Sequence, residues 1–223
     1  MNKVAVNEAV PIINRLCANL LTCVDNRTGN PAFVARTAIG ELLAQAPQFC
    51  WYNSIGQALN TCFGLVRLAG CTIGQMEGVR RELAAEATVS LGATLIRDFG
   101  IQMALAQEAK IIVAMTFSSR EDVDALLASI QQPFADAEEI AADSYDPMVY
   151  RGLVELHAAI VNYLVQTARP LPTMLTYQFA APLPSLVISH RLYGDASRYD
   201  EVRDENKIVH PAFCPVIGRA LSA

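Results

Sequence analysis

The stretch Leu183–Pro215, LPSLVISHRLYGDASRYDEVRDENKIVHPAFCP, decides how the C-terminal end of this chain folds. Pro182-Leu183-Pro184 reads as a stiff turn. Ser185 stands where a side chain caps a helix from Leu186 to Leu192. Tyr193-Gly194-Asp195 ends that helix, because Gly194 permits the tight turn that a side chain would strain. Ser197 is positioned to cap a second helix through about Glu205, and Asn206 suits a left-handed C-cap with its side chain on the backbone. Upstream, Met174–Phe179 has the composition of a strand. Downstream, His210–Leu221 reads as an irregular, partly extended return. The order strand, helix, helix, strand predicts a compact α+β module, with Leu186, Leu192, Val202 and Ile208 as its small core.

Working outward toward the N-terminus, the pattern turns helical. Arg169-Pro170-Leu171-Pro172 marks the boundary, so the expected division is a helical domain over 1–168 and the small module over 170–223. Asp146-Pro147 opens a helix, with Asp146 as N-cap and Pro147 in its first turn. That helix carries two apolar stripes: Val149, Leu153, Leu156, Ile160, Tyr163 and Tyr150, Val154, His157, Val161, Leu164. Two adjacent stripes predict cover on more than one side, by the core or by a neighbouring subunit. Ser118-Ser119-Arg120-Glu121 reads as a capping box, with Ser118 and Glu121 as the reciprocal pair. Val123, Leu126, Leu127 and Ile130 follow at i, i+3, i+4 and i+7. Pro133 is expected to end that helix, and a separate acidic piece is expected over Ala135–Ala142. Further upstream, the apolar period predicts helices over Val4–Val24, over Ala35–Ala46 with Pro47 as its stop, and over Trp51–Ala69. Gly70, Gly74 and Gly78 read as an interruption before a long tract from Val79 to about Phe117.

Composition excludes several functions. Hydrophobic residues make up 52% of the 223 and charged residues only 17%, against roughly 25% in an average soluble domain. The net charge of −5 offers no phosphate-attracting field, so no nucleic-acid contact is expected. The N-terminus lacks the features of a signal peptide, and the most apolar tract, Ile101–Phe117, is interrupted by Gln102, Gln107, Glu108 and Lys110. The expected setting is therefore a cytoplasm, with no membrane. Six cysteines with no Cys-x-x-Cys pair read as buried reduced thiols. None of His157, His190 and His210 is spaced to share a metal with another His or Cys. The carboxylate pairs Glu121/Asp122, Glu138/Glu139 and Asp200/Glu201 fall in helix first turns or on solvated faces. Phosphate-loop, dinucleotide, zinc-protease and nucleophile-elbow motifs are missing. No catalytic residue, cofactor or metal is assigned, and the chain is expected not to be an enzyme. From Leu42 to Val66 there is no charged residue, only Gln45, Gln48, Asn53, Gln57 and Asn60 among apolar ones with Trp51, Tyr52 and Phe63. That stretch suits a packed subunit contact or an internal helix of a bundle, and both readings stay open.

The run quoted at the outset resembles the C-terminal signature of the Mu-like phage DNA circularization (DNA circulation) family of tail proteins. The matching positions are Arg191 through Arg198 (including Tyr193, Gly194 and Asp195), Asp200, Glu201, Asn206, His210-Pro211 and Phe213. Ser119–Asp122, Tyr150 and Arg169–Pro172 match further upstream. The resemblance covers about half of the chain, corresponding to the second half of that family. The same run is similar to a LysM (βααβ) module, with Tyr193-Gly194-Asp195 after the first helix, Asn206 closing the second, and Pro211 and Leu221 on the return. Glycan-binding LysM modules open with Gly-Asp-Thr/Ser-Leu where this chain has Pro182-Leu183-Pro184-Ser185, which opposes sugar binding. The fold class implied is mainly α, a helical N-terminal domain followed by a small C-terminal α+β LysM-like module. The function implied is a structural virion part of a contractile tail, at the baseplate or tube–baseplate junction. Its implied partners are other tail and baseplate proteins, in a homo-oligomeric ring of six or three copies. Arg191, Tyr193, Gly194, Asp195, Arg198, Asn206, His210, Pro211 and Phe213 would form the docking motif. A peptidoglycan-binding role for the module is the alternative.

Overall fold

A computed structural model describes residues 2–144 and 146–222. The chain is mainly helical, with nine α-helices and one two-stranded antiparallel sheet among the described residues. It forms two compact units: Met1–Met115 with Gln131–Ile160, and Thr116–Ile130 with Val161–Ala223. The second unit thus takes in residues 170–223 together with the adjoining ends of two long helices.

The first unit is built on α1 (Lys3–Thr22), α2 (Asn30–Trp51), α3 (Ile55–Leu68), α4 (Ile73–Ala84) and α5 (Leu91–Val113). α1 buries Ala5, Ala9, Ile12, Ile13, Leu16, Cys17 and Leu20, a single stripe at helical spacing. It meets Ile39, Leu42, Leu59, Phe63, Met76 and Leu105 in a core of fully buried side chains. Polar caps register the helices. Asn2 Oδ1 accepts from Ala5 N at 2.8 Å, and Thr72 with Gln75 forms a reciprocal capping box on α4. Glu8 of α1 accepts from the amides of Val89 and Ser90 at 2.6 and 2.8 Å, just ahead of α5. The Ser90 side chain, and then these amide bonds, hold the Glu8 carboxyl below its usual range.

Helix ends differ from expectation where proline was read as a stop. α2 runs through Pro47 to Trp51, and α6 (Arg120–Asp143) runs through Pro133 as one helix. The reason is that the buried stripe does not break at the proline. Ile130, Phe134, Ala137 and Ala141 continue the spacing set by Val123. Burying that stripe outweighs the roughly 3 kcal/mol that an interior proline costs. Conversely, the expected tract from Val79 to Phe117 is two helices, α4 and α5, separated by a loop, and Gly74 and Gly78 lie inside α4. Sequence hydrophobicity carried across that break because both helices contribute to one core. The α6 cap also shifts by one residue. Ser119 Oγ accepts from Asp122 N, and Asp122 Oδ2 accepts from Ser119 N, both at 3.2 Å. Glu121 instead accepts from Met174 N at 2.8 Å.

α7 (Pro147–Ala168) starts as its sequence predicts, with Asp146 Oδ1 accepting from Met148 N and Val149 N at 3.2 and 3.1 Å. Its first stripe turns inward through Leu153 and Ile160. Of the second stripe, Leu164 is buried, while Tyr150 and Val154 are exposed. His157 stacks on Phe134 with ring centroids 4.8 Å apart, and its Nδ1 lies 2.9 Å from Glu138 Oε1.

In the second unit, β1 (Met174–Gln178) pairs antiparallel with β2 (Ile217–Leu221) in the register Met174↔Leu221 to Gln178↔Ile217. Between them run α8 (Ser185–Tyr193), a 3₁₀ turn at Ala196–Arg198, and α9 (Tyr199–Glu205). The core is Tyr177, Ile188, Val202, Cys214 and Ala220, flanked by Phe179, Leu183, Leu192, Tyr193 and Ile208. Leu186 is exposed, contrary to expectation. α8 begins one residue early at Ser185, so Ser185 and Ile188 turn inward and Leu186 turns out.

Candidate functional site

The nine residues of the expected docking motif all fall in the second unit, and most of them are engaged in holding it together. Gly194 ends α8 in the left-handed region (φ +71°), donating to His190 O at 2.9 Å. Asp195 caps the next turn, accepting from Ser197 Oγ and, at 2.8 Å, from Ser197 N, and these bonds, the hydroxyl's first, lower its carboxyl below the usual range. The Asp195 carbonyl in turn accepts from Ser189 Oγ at 2.6 Å. Ser197, expected as the cap of the second helix, is therefore the capped residue. The change follows from the 3₁₀ turn inserted before α9.

Arg198 lies over the Tyr193 ring, 3.9 Å from its centroid, and grips Glu201 through Nε (3.0 Å) and Nη2 (2.7 Å). Asn206 does not adopt the expected left-handed conformation; Lys207 does (φ +49°). The Asn206 side chain works instead as a substitute strand. Its Nδ2 donates to Val202 O (2.8 Å) and Arg219 O (2.7 Å), and its Oδ1 accepts from Arg219 N at 2.7 Å. Both backbone groups of Arg219 on β2 are thus satisfied by one amide. Gly218 allows this approach. A methyl at that position would stand 2.5 Å from Asn206 Oδ1, and closer still to the Tyr177 hydroxyl.

The remaining motif residues face outward. Arg191 is exposed, its guanidinium 5.6 Å from the Phe179 centroid. His210 and Phe213 pack ring to ring at 5.4 Å, and Phe213 is 73% exposed. Pro211 contributes its carbonyl, which accepts from Ser185 N at 2.8 Å. That bond, with Cys214 N donating to Leu183 O at 3.1 Å, seats the 209–214 loop against the start of α8. Val209, Phe213, Leu186 and Val187 all have exposed side chains on these joined segments.

Residues that the motif reading missed are Tyr177, Gly218 and Arg219, and it matched Glu201 without giving it a role. A glycine inside a strand is the signal that points to Gly218, since it marks close approach of another group. Glu201 stands three residues after Arg198, an ordinary helical pair. Nothing local in the sequence pairs Asn206 with Arg219.

Two cavities show how little chemistry the fold gathers. One, of about 350 Å³, lies beside the sheet and is lined by Thr176, Glu205, Asn206, Lys207, Ile217, Gly218 and Arg219. The other, of about 330 Å³, lies in the first unit and is mostly apolar through Ile55, Leu59, Leu95, Ile96, Phe99, Ile140 and Val149. Its two acids are already engaged: Asp98 pairs with Arg97 at 2.8 Å, and Asp146 caps α7. The most buried acid, Glu108, has its carboxyl pushed up by burial and is bonded to Arg80 Nε at 2.9 Å. Among the described residues no three His, Cys, Asp or Glu side chains converge as a metal site, and no helix is long and apolar enough to cross a membrane.

No family model matches the sequence, and no curated protein matches it.

Proposed function

We propose that the chain is a structural component of a contractile phage tail, at the baseplate or tube–baseplate junction, acting through protein–protein contacts and not as an enzyme. The observation that carries this reading is the C-terminal unit. Its strands close over two helices, and Tyr193, Gly194, Asp195, Arg198 and Asn206 each have a task inside a βααβ arrangement. This is the order that the LysM-like resemblance implies, and LysM-like modules serve contractile tails as docking units. A division of labour follows: the hydrogen-bonded and stacked part of the motif builds the knob, and His210, Phe213 and Arg191 present its outer face.

The charge-free stretch supports the same reading in both of its senses. Leu42, Ala46, Cys50, Leu59, Cys62, Phe63 and Val66 are core residues of the first unit. Gln45, Gln48, Gln57, Asn60 and Thr61 stay exposed with Trp51 and Tyr52, giving a surface without charge on α2, α3 and the turn between them. Uncharged amides among aromatic side chains have the composition of an interface core. A ring of three or six copies uses such a face between protomers.

Locating the chain in purified particles of the source virus tests the proposal. The expected result is density for it at the tail end, in a copy number of three or six. Particles that contain no copy overturn it. Retention of the protein on purified cell wall would replace docking by glycan binding.

A further inference from the structure

The two strands of the small sheet differ at their outer edges. Phe179 N donates to Val216 O and Ser222 N donates to Thr173 O, at 2.8 and 2.7 Å. In the antiparallel register of β1 and β2, the odd-numbered residues of β1 therefore bond to β2, and the even-numbered ones turn their amides and carbonyls outward. On β2 the central outward residue is Arg219, and the Asn206 side chain closes it. On β1 the start of α6 closes the first part of the edge. Arg120 N donates to Pro172 O at 3.0 Å, and Met174 N donates to Glu121 Oε2 at 2.8 Å. Beyond Met174 the edge is open. Among the described residues no group bonds the outward amides and carbonyls of Thr176 and Gln178, and Leu175, Thr176 and Gln178 are all exposed. Edge strands are ordinarily guarded by charge, lysine above all. Here no charged residue occurs from Pro170 to His190.

We propose that this open edge is a strand-pairing surface and that its occupant is β1 of a second copy of the chain, laid antiparallel across a two-fold axis at Tyr177. Outward donors and acceptors at alternate residues are complementary to another extended backbone. β1 is itself such a backbone, with the same groups unmet. Thr176 pairs with Gln178 of the other copy, and Gln178 with its Thr176, so every outward amide and carbonyl at these residues gains a partner. The register is fixed from both sides. Shifted toward Met174, the second strand meets an amide that Glu121 already holds. Shifted the other way, it carries Thr176 past Gln178, where β1 ends. The missing charge fits this occupant in particular. A strand that pairs with itself about a two-fold axis sets its own side chains opposite one another, so a charge there would meet its like. The contact is isologous and closes at two copies. It uses the second unit alone and does not rest on the tail reading.

Sedimentation equilibrium of the full chain, up to about 1 mM, tests the pairing. Thr176→Pro removes one outward amide from each copy and no bond to β2. The expected result is a reversible dimer for the wild type, and a dissociation constant raised about tenfold or more for Thr176→Pro with an unchanged circular dichroism spectrum. Two double variants sharpen the test and decide it should Thr176→Pro fail to fold. Thr176→Lys with Gln178→Lys, and Thr176→Glu with Gln178→Glu, should each stay monomeric alone and pair one to one when mixed. A wild type that is monomeric at every concentration, or an assembly of any size that the proline and lysine variants leave intact, overturns the proposal. Either outcome leaves the tail reading standing, since the content of virus particles decides that separately.

Discussion

The two units solve the problem of a stable core by different means. The first stacks helices whose buried positions are Ile, Leu, Ala, Cys and Phe, and it spends few polar side chains inside. Where it does bury them, they are paired: Gln107 accepts from Arg67 Nε at 2.9 Å, and Glu108 accepts from Arg80. The βααβ part of the second is built on a cluster of five buried residues. It supplements them with side chains that bond directly to backbone: Asn206 to β2, Asp195 to the 3₁₀ turn, Glu121 to the start of β1. A small core gains little from apolar burial, so side-chain-to-backbone bonds carry a larger share of its specification. The lesson is that a string of polar residues in a short module can be its scaffold and need not be its active surface.

The sharpest break of this contrast is a cavity in the first unit. Phe63→Ala removes a fully buried ring and is expected to cost about 3–5 kcal/mol. Hydrogen exchange monitored by mass spectrometry would report loss of protection over 1–115. Protection retained there would mean that the helices do not share one core. Next in size is Gly218→Ala, which drives a methyl into Asn206 and Tyr177 and is expected to cost about 1–3 kcal/mol. Here protection should fall over 174–221 instead. An unchanged chemical-denaturation midpoint would show that Asn206 does not need its bonds to Arg219.

Acid sharpens the comparison more gently. Glu8 and Glu86 of the first unit and Asp195 of the second have folded carboxyls below their ordinary values, through Ser90 and the adjoining amides, Arg15, and Ser197 respectively. Groups depressed in this way stabilise above their unfolded values, near 4.5 and 3.8, and lose that contribution as pH falls through the folded ones. Glu108 has the opposite sign, because burial raises it and the fold prefers it protonated; its penalty is relieved as pH falls from its raised folded value toward 4.5. The melting temperature of the first unit is therefore expected to hold or rise slightly down to about pH 4.5 and to fall below it. Glu8→Gln should lower the melting temperature above that point, where the carboxylate contributes, and flatten the fall below it. The smallest effect is expected from Phe213→Ala. With its ring exposed, the change should stay within about 0.5 kcal/mol in a thermal melt, while weakening the docking proposed for that face. A large loss of stability would make Phe213 part of the scaffold after all.

Local pattern made several parts of the structure legible before any coordinates. The α7 cap at Asp146, the turn at Gly194, and the strand–helix–helix–strand order are all statements about neighbours in sequence, and each is realised locally. The stops read at Pro47 and Pro133 failed, since whether a proline ends a helix depends on whether the stripe beyond it finds a core. The candidate site divided in the same way. Gly194 and Asp195 act within a few residues of themselves. The Asn206–Arg219 bonds, thirteen residues apart, need segments brought together by folding.

By itself, then, the sequence determined the helical character of the chain and the small α+β end, because those follow from periodicity, capping chemistry and residue type. Only the tertiary structure decided which motif residues build the knob and which face outward, and which buried stripes continue past a proline. Those facts depend on contacts between residues far apart in the chain. No local pattern encodes such a contact, since its free energy exists only once both partners have been folded against each other.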